Sequence, residues 1–240
     1  MRPLHIITPV KDSIHLSLLT AESVLRSTIG VPHHYTIYND FSTQSNRLLL
    51  EQFVRSNKEA VSLVNLSEHT SHPSPNYRLI LQLSQQRALA DGADLLIVES
   101  DVVVRERTIQ SLIEGAAERP DCGIAAAVTV DERGRINYPY EHARGHEGEC
   151  YAIKHHCSFC CSLLKNELLQ ALDFRTLNPE KHWFDVTISH LSLTLGFKNY
   201  LFTYLPVTHR PHASRPWKQL KYTHPLKYYW IKVTQGFDKI

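Results

Sequence analysis

The chain has 240 residues, 42% of them hydrophobic and 21% charged, with a formal net charge of +2. This suits one large α/β domain with a full core and excludes a disordered or collagen-like chain. Five cysteines, an odd number with two adjacent, do not form a secreted disulfide framework. No apolar run approaches the roughly 20 residues of a membrane span, and Met1-Arg2-Pro3-Leu4-His5 lacks the apolar stretch of a signal peptide, so a cytoplasmic protein is expected.

Leu4 to Pro9 reads as a buried strand, followed by a helix in which Ile14, Leu18, Ala21 and Leu25 recur at helical spacing up to Gly30. A second strand, Tyr35 to Tyr38, ends at Asn39-Asp40 and leads into a helix over Ser45 to Ser56. Val61 to Leu66 is a third strand. After a loop from Glu68 to Pro75, Leu79, Leu83 and Ala90 mark a helix closed by Asp91-Gly92. The fourth strand runs from Ala93 into Glu99-Ser100-Asp101 and on through Val102-Val103-Val104, before a helix through Ile109, Leu112, Ile113 and Ala116. The alternation predicts a parallel sheet with helices on both faces. Ligands of such sheets collect at the carboxyl ends of strands, where Thr8, Asp40 and Asp101 are expected.

The second half is less regular. Gly123 to Asp131 is a strand with a turn after it, and residues 136–158, rich in His, Tyr and Glu, read as a long loop or lid near the site. Leu163 to Leu172 and Val186 to Leu195 are short helices, and Tyr200 to Val207 an alternating strand. No linker divides the chain, which predicts one domain over residues 1–215 and an appendage over 216–240.

If the backbone stays extended, Glu99 and Asp101 point to the same face. They then offer hard oxygens to Mg2+ or Mn2+, or approach a diphosphate together; the alternative is a strand end with two solvated acids. His155-His156-Cys157 and Cys160-Cys161 are metal-ligand types, but a second Cys pair at zinc-finger spacing is missing. From His209 onward seven Lys/Arg face the single Asp238, interleaved with Trp217, Tyr222, Tyr228, Tyr229, Trp230 and Phe237. That mixture suits an anionic membrane surface, would also serve nucleic acid through stacking and cations, or else belongs to a C-terminal helix packing its aromatics on the core. The chain has no G-x-S-x-G, Walker loop or G-x-G-x-x-G, so hydrolase, NTPase and dinucleotide readings have no support.

Ile6-Ile7-Thr8-Pro9-Val10, Tyr38-Asn39-Asp40-Phe41-Ser42-Thr43 and Glu99-Ser100-Asp101 resemble the nucleotide-sugar half of family 2 glycosyltransferases of the GT-A fold. There an Ile-Pro-Val strand, an Asp-Asp-Gly-Ser turn and an Asp-x-Asp motif follow in this order. Cys160-Cys161-Ser162-Leu163, Leu172-Asp173-Phe174, Asp185 eleven residues before Gly196-Phe197-Lys198, and His209 followed five residues on by Ser214 are similar to the acceptor half. The resemblance implies a Rossmann-like mixed, mainly parallel sheet flanked by helices. Residues 1–105 would form its nucleotide-sugar half and residues 106–215 its acceptor half.

By resemblance, the activity is inverting transfer of a sugar from a nucleotide diphosphate sugar, a UDP-sugar favoured, to a hydroxyl of a glycan or lipid-linked saccharide. No nucleic acid partner is expected, and any membrane contact is peripheral, through residues 216–240 at the inner face. The same resemblance places Thr8, Pro9, Asp40, Glu99 and Ser100 at the donor nucleotide. Asp101 and His209, with His212 as a substitute, become ligands of Mn2+ or Mg2+, and Asp185 the general base. Asp185 has the alternative role of capping the Val186 helix. The family pattern is altered at Asn39, Phe41, Glu99, Phe184 and Thr187, and the changes at Asn39, Phe41, Phe184 and Thr187 motivate a noncatalytic glycan- or nucleotide-binding protein as a second reading. A sugar nucleotidyltransferase would need a glycine-rich loop after the first strand, and Thr8 to Ser13 contains no glycine.

Overall fold

A computed structural model describes residues 2–180, 183–210 and 224–234. His212, Ser214 and the segments 216–223 and 235–240, for which expectations are stated above, lie outside the described residues. The strands are β1 (Leu4–Val10), β2 (His34–Asn39), β3 (Val61–Asn65), β4 (Asp94–Val98), β5 (Val102–Val103), β6 (Cys122–Val130), β7 (Cys150–Ile153), β8 (Cys161–Leu164) and β9 (Lys198–His209). They form one sheet in the order β3-β2-β1-β4-β8-β6-β9-β5, with β7 also paired to β9. Strands β3, β2, β1 and β4 are parallel. Strand β8 enters antiparallel between β4 and β6, β9 runs parallel to β6, and β5 and β7 pair antiparallel with β9.

Period-two alternation divides the buried side chains between two cores. Ile6, Leu96, Val98 and Ala125 pack with Val24, Leu50 and Leu112 from helices α1 (Ile14–Ser27), α2 (Gln44–Ser56) and α4 (Thr108–Ala117). Ile7, Leu95, Ile97 and Ile124 pack on the other face with Ile80, Leu168 and Ile188 from α3 (Tyr77–Ala90), α5 (Asn166–Ala171) and α6 (Phe184–Thr194). Gly115 lets α4 approach the sheet, because a Cβ there would collide with the Phe202 ring. A last helix, α7 (Pro225–Thr234), follows at the C-terminal end.

Three expectations change. The fourth strand does not run through to Val104. It stops at Val98, the chain turns with Val102 N–H donating to Glu99 C=O at 3.2 Å, and β5 resumes elsewhere in the sheet. Residues 136–158 are not one irregular lid, since Cys150–Ile153 adds to β9 and Glu141–Ala143 forms a 3-10 turn. Leu163 and Leu164, read as the start of a helix, close strand β8, and α5 begins only at Asn166.

Candidate active site

The carboxyl ends of β1, β2 and β4 form the rim expected of a parallel sheet, and the chain distributes its polar residues there unevenly. Thr8 is not at the rim. β1 continues two residues past it, its side chain is wholly buried, and its hydroxyl lies 2.9 Å from the Tyr35 hydroxyl. Thr8 thus serves the core, while Pro9, next along the strand, is half-buried. Asp40 does lie at the rim, its N–H donating to the Val10 carbonyl at 2.8 Å. Its carboxylate accepts from the Ser74 hydroxyl at 2.6 Å and from the Asn76 backbone and amide N–H groups at 2.9 and 2.8 Å. In the folded chain Asp40 therefore anchors the loop that enters α3.

A second set of bonds ties the β1–α1 and β2–α2 connections together. The Asp12 carboxylate accepts from Thr43 N–H at 2.8 Å and the Asn46 amide at 3.0 Å, and Lys11 reaches the Phe41 carbonyl. Asp12, Ser13 and Phe41 all have positive φ, an uncommon conformation for non-glycine residues. Burial would raise the Asp12 carboxyl, but these donors and the Lys11 charge hold it below its ordinary value. An open cleft of about 500 Å³ lies beside this latch, lined by Asn39, Phe41, Arg47 and Glu51 among others.

The acidic motif works through a turn rather than through strand alternation. Because β5 pairs antiparallel with the end of β9, Val102 stands opposite His209 and Asp101 arrives beside the imidazole. Asp101 Oδ2 lies 3.6 Å from His209 Nε2, and the two residues are 8% and 7% exposed. Arg210 N–H donates to the Asp101 carbonyl at 2.9 Å, which fixes the crossing. His209 Nδ1 is 2.9 Å from the Tyr138 carbonyl. A carbonyl only accepts, so Nδ1 carries a proton and the neutral ring turns the lone pair of Nε2 toward Asp101. Burial opposes protonation of this ring, yet the adjoining Asp101 carboxylate, with Glu99 and the Tyr138 carbonyl, raises its pKa overall.

This arrangement fits a divalent cation. Second-shell carbonyls orient ligating histidines in this way, and ligands at roughly 2.1 Å from one ion must lie within about 4.2 Å of each other. Among the described residues no group of three or more His, Cys, Asp and Glu side chains could hold a metal. A cation held by Asp101 and His209 would thus have two protein ligands and take the rest from other oxygens, the habit of sites completed by phosphates and water. The His155–Cys161 segment forms no metal cluster, and all five cysteines are free thiols.

Glu99 is held by Cys160, a residue the sequence reading did not place in the site. Glu99 N–H donates to the Cys160 carbonyl at 3.1 Å, and the Cys160 thiol points at Glu99 Oε2 at 3.4 Å while accepting from the Ser158 hydroxyl at 3.3 Å. Burial first, then the charges of Glu99 and Asp101, push the thiol pKa far upward, so it stays a protonated donor. Ser100 is buried in the same turn.

Asp185 is half-buried in the first turn of α6, one position after Phe184, and Trp183 occupies the N-cap. The helix starts before Val186, so the capping position falls to another residue. Partial burial and then the charges of Asp185, Cys160, Tyr228 and Glu99 raise the Tyr138 phenol; both carboxylates therefore act on one ring. Burial lowers the His156 imidazole, Asp185 opposes that, and His142, His155 and His190 reinforce it. Tyr138 and Cys160 thus join the predicted residues. Tyr138 has no sequence signal beyond its place in the aperiodic 136–158 stretch, since it acts through a backbone carbonyl; Cys160 stood out only as a metal-ligand type and in the acceptor-half likeness, neither of which pointed to a buried thiol beside Glu99.

No protein-family model matches the chain, and no curated protein matches it in sequence. Solved structures do match. The mannosyltransferase PcManGT from Pyrobaculum calidifontis, in complex with GDP-Man and Mn2+, superposes with a TM-score of 0.67 at 13% identity over 98% of this chain and 65% of that one. GalNAc-T7 with UDP, GalNAc and Mn2+ gives 0.66 at 12% identity over 87% of this chain and 44% of that one. S. aureus TarS 1-349 gives 0.64 at 14% identity over 87% and 60%. The chain thus spans less than two thirds of each neighbour. At these identities the likeness establishes the fold, which is the GT-A fold.

Proposed function

We propose that the chain is a metal-assisted glycosyltransferase that moves a sugar, with inversion, from a nucleotide diphosphate sugar to a hydroxyl of a glycan or lipid-linked saccharide. The observation that carries this reading is the Asp101–His209 pair, with Nε2 aimed at the carboxylate by the Tyr138 carbonyl, at the rim of a GT-A sheet. Two of the structural neighbours were solved with nucleotides and Mn2+, which supports a donor of that class.

In this reading Asp101 and His209 hold a divalent cation, Mn2+ or Mg2+. Such an ion supplies Lewis-acid neutralisation of the departing diphosphate. Pro9 and the turn at Glu99 and Ser100 face the donor, and Asp40 shapes the donor cleft by pinning Ser74 and Asn76 rather than by offering a free carboxylate. Asp185 accepts the proton of the acceptor hydroxyl while its oxygen attacks the anomeric carbon and the diphosphate leaves from the opposite face. One displacement without a covalent enzyme intermediate inverts the configuration.

The test is a thermal-shift and calorimetric screen of UDP, GDP, dTDP and CDP and their sugars, with and without Mn2+. A ligand at a hundredfold excess over its dissociation constant stabilises the fold by about 2.7 kcal/mol, so a metal-dependent shift from one nucleotide is the expected result. Folded protein that responds to none of them would overturn the proposal in favour of a noncatalytic glycan-binding protein.

A further inference from the structure

Helix α7 presents two unlike faces. Tyr228 is buried and Ile231 half-buried on the inward side. On the other side Leu226 is 87% exposed, Tyr229 54%, Trp230 68% and Val233 77%. Their spacing is i, i+3, i+4, i+7, so at 100° per residue they occupy an arc of about 100°. Among the described residues, six large apolar side chains are more than half exposed, the others being Ile29 and Leu48; four of the six share this one helix. An apolar stripe so concentrated marks a surface that is covered in use. No described helix is long and apolar enough to cross a membrane.

The charge around the helix selects what covers it. From His209 to the end of the chain seven Lys/Arg stand against one Asp, and Lys227 is exposed beside the stripe. A second copy docked on the same stripe would bring two such positive segments together, because a twofold interface pairs a surface with itself. An anionic bilayer instead offers opposite charge to the lysines, a headgroup layer in which Trp and Tyr rings settle, and an apolar boundary for Leu226 and Val233.

We infer that α7 is an interfacial helix that seats the protein on an anionic lipid surface through Leu226, Tyr229, Trp230 and Val233. The opposite face, through the buried Tyr228, packs the helix onto the protein. This placement does not depend on the transfer activity, and it suits an acceptor carried on a lipid.

Flotation of the full chain with vesicles tests it, in the absence of any nucleotide, using 30% phosphatidylglycerol in phosphatidylcholine against phosphatidylcholine alone. The expected result is binding to the anionic vesicles that weakens with salt. Leu226→Ser/Trp230→Ser should lower the partition coefficient at least tenfold, and Lys227→Glu should lower it severalfold. Circular dichroism melts of the variants, unchanged from the parent because the altered side chains point outward, keep the comparison meaningful. Equal partitioning of parent and double variant would overturn the inference, as would equal binding to neutral and anionic vesicles. A dimer abolished by the double variant, with no vesicle binding by the parent, would overturn it in favour of self-association.

Discussion

Replacing His209 by alanine probes the metal reading at its narrowest point. The imidazole is almost fully buried, Nδ1 is committed to the Tyr138 carbonyl, and Nε2 stands 3.6 Å from Asp101 Oδ2. Outer-sphere partners of metal ligands are worth about 10- to 100-fold in metal affinity. Removing one of two protein ligands should therefore cost at least the upper end, about 100-fold or ~2.7 kcal/mol. The assay is calorimetric titration of the responsive nucleoside diphosphate in Mn2+ and again in EDTA, and the quantity read is the ratio of the two affinities. Wild-type protein should show a large ratio and His209→Ala a ratio near one. Asn137→Ala removes only the 3.3 Å amide contact to the His209 carbonyl, and should keep most of the enhancement. If folded His209→Ala retains the full Mn2+ enhancement, His209 is no ligand and the pairing with Asp101 is purely structural.

Asp185→Asn should leave nucleotide affinity within about twofold and reduce turnover by roughly 10²- to 10⁴-fold, the usual worth of a general base; transfer at an undiminished rate would remove Asp185 from that role. Cys160→Ala frees Glu99 from the thiol and should lower kcat/KM about three- to tenfold, in line with a weakened hydrogen bond to a charged group. Cys160→Ser restores a donor and should recover most of that loss, so identical kinetics for Ala and Ser would show that the thiol does not position Glu99. Asp12→Ala breaks the latch between the β1–α1 and β2–α2 connections and should destabilise the fold by roughly 1–2 kcal/mol at pH 7, allowing for solvent screening. A carboxyl held below its ordinary value of 3.8 stabilises the native state above that pH, and the contribution fades as pH falls through the lower folded value. Parent and variant should then converge in acid; an undiminished gap below pH 3.8, read from urea melts, would contradict the latch.

The first four strands and their helices were legible because short segments rich in Ile, Leu, Val and Tyr alternate with stretches of apolar residues at helical spacing, most of them closed by a turn signal. Thr8 was misplaced for a local reason: Pro9 looks like a strand stop, yet β1 stays in register with β2 through Pro9 and Val10. The break after Val98 could not be read, since Val102-Val103-Val104 has the composition of a continuing strand and only pairing with β9 draws it away. Strand β7 is four residues at an edge with mixed burial, too short for its alternation to stand out. Asp101 and His209 are roughly a hundred residues apart, and no periodicity links them; the likeness to a known motif order did. The aromatic content of the C-terminal segment was visible, whereas which side of α7 turns outward depends on the surface beneath it.

Strand β9 borders β6, β7 and β5 at once, and the Asp101–His209 pair exists only where its last residue meets β5. The parallel block β3-β2-β1-β4 makes no pairing with β9. Heat or denaturant that peels the end of β9 from the sheet would therefore erase the proposed cation site while that block, and most of the circular dichroism signal, persists. Metal response becomes a sentinel: in a preparation ageing on the bench it should disappear before any melt curve registers damage.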